Sequence, residues 1–460
     1  MSSKSAIQLL KFFVYNPTLS KKEGEEEKNL MYYYPQDVPL DNKIKDVGLC
    51  EALVKFSRTF AADAPCESLH TQKTRQLFLE AEENYWLILV ISIPTAQKVK
   101  DSQVYIEYHE DDVHDTVYMA VLKQAYQMQA VMARSTRWWQ RPAWIHLKIR
   151  PESILSQRYL QTCVDRCDVL DVFNGMQFLP LDKNGYLRTQ CFLNQTEASF
   201  PQVKYTAFLY NESLVWSDCS RVDIRILYKY LTTSLSLLHG SELQAGTCSP
   251  RNQARTSPTI LGKFITGPPN LADTTNLGKV PRIFVNVDGK KSEECHLVVY
   301  RALSASVCLM VEGSYQLNFD FYRLLDQFLG PQLTVLASDI GEQYGKRLSA
   351  PATLATSTSY FQHMNLAEKS SLHARQRPHR GPRATRGRQA NCRCETDLAM
   401  SGDDCELVVK GPGDCWVVAR KKSDQRELYY VNQKCSNLIE IAEEVKKLCA
   451  SHFNNIFFLD

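Results

Sequence analysis

The sequence predicts a mixed α/β fold of the α+β type, in which antiparallel sheets carry helices packed on their faces. The order strand, strand, helix occurs three times along 460 residues, although the sequence itself does not repeat. Hydrophobic residues make up 44% and charged residues 23%, the balance of ordinary globular domains. At ~150 residues per domain the length calls for about three cores.

The first unit opens with the apolar strand LLKFFVYNP (Leu9 to Pro17), closed by an Asn-Pro turn. A charged connector leads to a second strand, NLMYYYP. Asp41 or Asn42 is expected to cap the helix NKIKDVGLCEALVKFSRTF through a side-chain oxygen. Lys45, Gly48, Glu51, Lys55 and Arg58 form a narrow polar stripe on it, and Ile44, Val47, Leu49, Cys50, Leu53, Val54, Phe56 and Phe60 fill most of the remaining circumference. A helix lying on one sheet shows one apolar face. This pattern therefore predicts a second packing partner for the helix. RQLFLEAEENYWLILVISIP supplies two more strands, and a helix follows from about Val113 to Met132.

The second unit has strands at Lys204 to Tyr210 and Ser213 to Ser217, joined by an Asn211-Glu212 turn. A helix beginning near Asp223 buries Ile224, Leu227, Tyr228, Leu231 and Leu235 at helical spacing. After a Pro/Gly/Ser-rich excursion from His239 to Lys279, RIFVNV and HLVVYRALSASVCLMVEG read as strands. The helix FDFYRLLDQFLGPQLTVLASDIGEQY contains Pro331, where a kink or break is expected. In the third unit CELVVK, CWVVARKK and ELYYVN are strands, NLIEIAEEVKKLCASHF is an amphipathic helix, and NNIFFLD is a last strand.

Little in the chain suggests covalent chemistry. It has no G-x-x-x-x-G-K-[ST], no G-x-S-x-G, and no G-x-G-x-x-G between strand and helix. His109 and His114 are five apart, one more than the spacing that aligns two imidazoles on a helix, so YHEDDVH reads as an acidic loop and helix start. The 15 cysteines are scattered: Cys163 and Cys167, and Cys392 and Cys394, lack a second matching pair. They read as reduced intracellular thiols. No catalytic residue, cofactor or metal ligand is assigned. The start of the chain lacks the pattern of a signal peptide, and WLILVISIP is too short to span a bilayer, so a cytoplasmic protein with peripheral membrane contact is expected. The net charge is only +3. The local run Arg375, Arg377, Arg380, Arg383, Arg386, Arg388 and Arg393 lacks the interleaved aromatics that stack bases, so it reads as a linker and no specific nucleic acid is expected. Trp138, Trp139 and Trp144 sit in an irregular Arg/Pro-rich stretch.

Several long strings carry a resemblance. FFVYNP, VGLCEALVKFSRTF, SLHTQKTRQLF, KYTAFLYNESLVWS, RILYKYLTTSL, GPQLTVLASDI, HMNLAEKS, KKSDQRELY and EEVKKLCASHFNNIFFLD resemble the Ccz (calcium–caffeine–zinc-sensitivity) family over most of the chain. The resemblance implies three longin domains. It divides the chain into a first longin domain (1–133), a divergent Trp/Arg/Pro-rich segment (134–160), a second longin domain (161–345) with a loop insertion (239–279), an Arg-rich linker (346–403) and a third longin domain (404–460). Segments 134–156 and 371–404 depart from the family pattern.

The resemblance also implies a heterodimer with the Mon protein that works as a guanine-nucleotide exchange factor, promoting GDP release and GTP loading. Its implied target is the late-endosomal and lysosomal Rab GTPase of the seven class, in endosome maturation, vesicle fusion and autophagy. The implied location is peripheral, on the anionic cytoplasmic surface of late endosomes and lysosomes. The alternative is a non-catalytic longin adaptor or tether. On this sequence the partner and Rab interface is placed at Tyr34, Lys45, Glu51 and Lys55, on the over-apolar helix and the strand before it.

Overall fold

The computed structural model describes residues 5–20, 25–61, 66–100, 103–132, 160–161, 164, 172, 174–179, 181–235, 262–273, 275–287, 291–348, 356–362, 367–370, 404–411, 415–422, 426–432 and 437–452. They fall into two compact units, one comprising Met1–Gln129, Trp139–Asn174 and Leu372–Asp460, the other Ala130–Trp138 and Gly175–Ser371.

In the first unit, β1 (Leu9–Tyr15), β2 (Leu30–Tyr34), α1 (Leu40–Phe60), β3 (Ser68–His70), β4 (Thr74–Glu82) and β5 (Tyr85–Ser92) build an antiparallel sheet of order β2-β1-β5-β4-β3. β5 is central and buried along nearly its whole length, so it reads as one apolar run instead of alternating. Phe13 pairs with Tyr33 and Ile88, and Ile88 with Phe78. These side chains form one face, which α1 covers with Val47, Cys50 and Val54. Phe12, Leu77 and Leu89 line the opposite face. The helix α2 (Asp115–Met132) lies on that side, where Thr116, Met119 and Ala120 share a cleft with Leu77. Between β5 and α2 a separate two-stranded ribbon is formed by β6 (Thr95–Lys100) and β7 (Gln103–Tyr108), which the sequence pattern had not indicated. Past α2, Leu160 and Val164 are buried and Gln161 Oε1 accepts a hydrogen bond from Leu9 N at 3.3 Å. Leu160, Gln161 and Val164 belong to the first compact unit.

The expected cap of α1 is not used. The helix starts at Leu40 with Pro39 in the N-cap position and no side-chain cap, and Asp41 sits in the first turn. Pro39 supplies a fixed φ, its carbonyl accepts from Asn42 N at 3.0 Å and Lys43 N at 3.2 Å, and Asp41 meets the positive end of the dipole.

The second unit contains β8 (Met176–Gln177), α3 (Lys183–Ser199), β9 (Val203–Tyr210), β10 (Ser213–Ser217) and α4 (Arg221–Tyr230), which runs into a π turn at Leu231–Leu235. Then come β11 (Lys263–Phe264), β12 (Arg282–Val287), β13 (Lys291–Ala302), β14 (Ala305–Glu312), α5 (Phe319–Leu348), β15 (Thr356–Gln362) and β16 (Ala367–Ser370). The main sheet has the order β10-β9-β14-β13-β11, with β12 also on β13. One face packs Phe208, Tyr300 and Leu309 against Phe192 and Leu193 of α3 and Leu325, Leu329 and Leu333 of α5. The other packs Leu209, Leu297 and Met310 against Ile224, Leu227 and Tyr228 of α4.

Three expectations change here. The helix α3 was not foreseen, because two of its inward positions are Thr189 and Thr196, which donate to the Gly185 and Phe192 carbonyls at 2.8 Å. Pro331 does not break α5, which continues for 30 residues with Pro331 on its solvent side. The stretch read as linker also contains β15 and β16, and β16 pairs in parallel with β8.

The C-terminal part of the first unit is a meander of β17 (Cys405–Gly411), β18 (Cys415–Lys422) and β19 (Arg426–Asn432), followed by α6 (Leu438–His452). Asn437 Oδ1 accepts from Glu440 N at 2.9 Å while Glu440 Oε2 accepts from Asn437 N at 3.2 Å, a capping box that starts α6. Ile441, Val445 and Cys449 bury one stripe, and Tyr430 of β19 donates to Glu444. NNIFFLD, the Arg run, the Trp cluster, Cys163, Cys167, Cys392, Cys394 and the first half of the 239–279 insertion lie outside the described residues.

Three outcomes follow from this packing. Phe208→Ala, at a site with no exposed surface, is expected to cost about 3–5 kcal/mol of stability, read from urea midpoints. Burial pushes the Cys295 thiol from 9.0 up to about 11 and Cys219 up to about 12. Only the unfolded chain ionises between these values, so their contribution is intact below pH 9.0 and falls as pH rises toward 11–12. Native alkylation at neutral pH should label exposed Cys191 and spare Cys295 until the chain is unfolded.

Candidate protein-docking face

The helix α1 divides its apolar residues between two environments. Val47, Cys50 and Val54, spaced three and four apart, are buried against the sheet. Leu49, Phe56 and Phe60 point away from it and are 52%, 63% and 78% exposed. Phe56 and Phe60 touch each other edge to face, with centroids 5.0 Å apart at 74°. Gly48 lies on the exposed side, and a Cβ there would meet nothing within 4 Å. Exposed Ala52 is the next small residue along the same side. The result is a bare apolar stripe with small residues at Gly48 and Ala52 flanking Leu49, where another backbone can approach closely.

The polar flanks hold the helix in place. Lys11 Nζ lies 2.8 and 2.7 Å from the two Asp46 carboxylate oxygens, and Tyr33 donates to the same carboxylate. Burial, together with that acceptor, raises the Tyr33 phenol well above its ordinary range. Lys43 Nζ donates to Gln36 O at 2.9 Å and sits 5.4 Å from the centre of the Tyr33 ring. Arg58 pairs with Glu80 at 2.7 Å and lies over Trp86 at 5.5 Å. These contacts join both ends of α1 to β1, β2, β4 and β5, so the bare stripe is presented on a rigid support.

Of the four residues placed at the interface from sequence, three lie on this helix. Lys45 is exposed beside Gly48. Glu51 and Lys55 pair with each other at 2.5 Å, an i,i+4 bridge in which Lys55 is 71% exposed. Tyr34 is not brought to them. It pairs with Phe12, whose side chain is on the α2 side of the sheet, and strand alternation gives the α1 side to Tyr33. Sequence reasoning missed Leu49, Phe56 and Phe60 as the exposed members of an apolar set, since periodicity does not say which apolar side meets the sheet.

A second feature is a cleft of about 330 Å³ lined by Ser68, Leu77, Thr116, Met119 and Lys123 among others. Beside it, Asp115 joins His70 at 2.6 Å and the buried Arg75 at 3.4 Å, tying β3 and β4 to the start of α2. Among the described residues no group of three or more His, Cys, Asp and Glu side chains is placed to hold a metal ion. His109 lies 3.4 Å from Glu107, within the acidic turn expected there. No helix among the described residues is long and apolar enough to cross a membrane.

Comparison with known proteins adds three family profiles. The one described as the first longin domain of INTU, CCZ1 and HPS4 matches residues 9–134, Intu longin-like domain 2 matches 203–330, and Intu longin-like domain 3 matches 353–448. The vacuolar fusion protein CCZ1 homolog of Xenopus laevis is 48% identical over 99% of this chain and 98% of its own length. The homolog of Danio rerio is 47% identical over 98% and 96%, and that of Dictyostelium discoideum 27% identical over 97% of both. Sheets flanked by helices, three longin profiles and near-complete colinearity with these relatives agree: the chain belongs to the vacuolar fusion protein CCZ1 family, whose members are built from longin domains.

Proposed function

We propose that this chain is one subunit of a heterodimeric guanine-nucleotide exchange factor in vacuolar and endosomal trafficking. Its partner on this reading is the Mon protein, and its target is the late-endosomal Rab GTPase of the seven class. The observation that carries the reading is the bare stripe Leu49, Phe56 and Phe60 on the otherwise well-anchored α1 of a first longin domain. The name vacuolar fusion protein, borne by relatives along the whole chain, supports the trafficking role.

Such a factor forms no covalent bond. Tight nucleotide binding by a small GTPase, at a picomolar constant, corresponds to about 16 kcal/mol. A protein that prefers the empty GTPase must weaken nucleotide by the same factor. Each tenfold gain in release rate takes ~1.4 kcal/mol off the barrier. Docking energy from a shaped, apolar surface supplies it by disturbing the loop and Mg²⁺ that close over the phosphates. Full burial of a Leu or Phe contributes about 1.5–3 kcal/mol, so Leu49, Phe56 and Phe60 together offer several kcal/mol before the cost of association. The stripe serves assembly with the partner; the exchange surface is then shared between the two first longin domains.

Replacing Leu49 and Phe56 with Asp together is expected to weaken capture of the Mon protein by at least about tenfold. The thermal midpoint should stay nearly fixed, because both side chains are exposed. Reversing the charge of Lys45 should cost less, and swapping Glu51 with Lys55, which preserves their pair, less still. The purified heterodimer is expected to accelerate release of a fluorescent GDP analogue from the Rab. Equal release with and without it overturns the exchange reading and leaves a tether.

A further inference from the structure

The helix α4 turns one side to the main sheet of the second unit and the other to water. Ile224, Leu227 and Tyr228 are buried against the sheet, while Val222 on the outer side is 58% exposed. The outer side consists of two rows, each advancing four residues at a time. One row is Arg221, Arg225 and Lys229; the other, one position on, is Val222, Ile226 and Tyr230. Residues four apart are neighbours along a helix surface, so the two rows make parallel ridges with a groove between them.

The cationic row meets no acid on its own helix face. Asp223, the acid within α4, is buried on the inner side and accepts from Ser220 Oγ at 2.7 Å. Asp218 stands before the helix begins. Among the described residues neither Arg221 nor Arg225 forms an ion pair or a side-chain hydrogen bond. Arg225 is half-buried, and its Nε is shut off from water without a hydrogen-bond partner. Burial lowers its guanidinium from the ordinary value, and no neighbouring acid acts against this. A guanidinium so placed gains more from a carboxylate than a well-hydrated ammonium does.

Geometry selects the form of the partner. An i±4 ridge of a second helix fits the groove between two i±4 ridges, the commonest packing of helices in globular proteins. Acids four apart on that helix reach Arg221 and Arg225, and apolar residues beside them cover Val222. A polybasic membrane seat gathers about 4–8 basic residues. The α4 row is shorter than that, and half of the outer positions are apolar.

We propose that the outer side of α4 docks an acidic amphipathic helix of a partner protein, with carboxylates on Arg221 and Arg225 and apolar contact at Val222. The site lies in a different unit from the α1 stripe and does not rest on nucleotide exchange. The probe is a stapled, fluorescent helical peptide with Glu at every fourth position and Leu after each Glu, titrated with the full-length chain. It is expected to bind at least about tenfold more tightly than a peptide of the same composition in scrambled order, a comparison that uses the wild-type chain alone. R221E/R225E should keep the thermal midpoint nearly unchanged, lose the acidic helix by at least about tenfold, and take up the same helix with Lys in place of Glu. Equal binding of ordered and scrambled peptides overturns the proposal, as does equal binding of the acidic helix by the two chains. Phosphatidylserine vesicles that sediment the wild-type chain but not R221E/R225E, with no peptide bound, assign the row to lipid and overturn it as well.

Discussion

The fold depends on covering both faces of the N-terminal sheet and of the main sheet of the second unit. Central strands such as β5 and β14 carry apolar side chains on successive positions, so neither face tolerates water. In the N-terminal sheet α1 covers one face and α2 lies on the other; in the second unit α3 and α5 take one face and α4 the opposite. At about 25 cal/mol per Å² of apolar surface removed from water, this two-sided coverage outweighs any single hydrogen bond or ion pair described here.

That constraint gives α1 its second property. Its inner side is satisfied by the sheet through Val47, Cys50 and Val54, yet the sequence supplies more apolar residues than one side can use. The surplus remains in water at Leu49, Phe56 and Phe60. Lys11, Tyr33, Asp46, Arg58 and Glu80 keep the helix from rolling to hide them. A helix held in this way binds a partner with little ordering cost, because the geometry exists beforehand.

Legibility in the sequence followed the strength of the periodic pattern. The hairpin turn at Asn211, with positive φ, was readable because few residues other than Asn and Gly accept that conformation. α3 was hidden by its inward threonines, which satisfy their hydroxyls on the preceding turn. The helix start at Leu40 was misplaced because Pro39 does the work expected of a side-chain oxygen. Strands β15 and β16 lie in a stretch whose composition resembles a linker, and pairing decides their state.

The sequence by itself determined the α+β kind of the fold, the surplus of apolar residues on α1, and membership of a longin-built family, since periodicity and long ordered strings are local properties. Tertiary structure decided which side of α1 is bare, and that Tyr33 and not Tyr34 packs with its covered side. The physical reason is that a face has no identity until something packs against it: the 3.6-residue and 2-residue periods divide side chains into sets, and only the distant chain brought alongside selects which set leaves water.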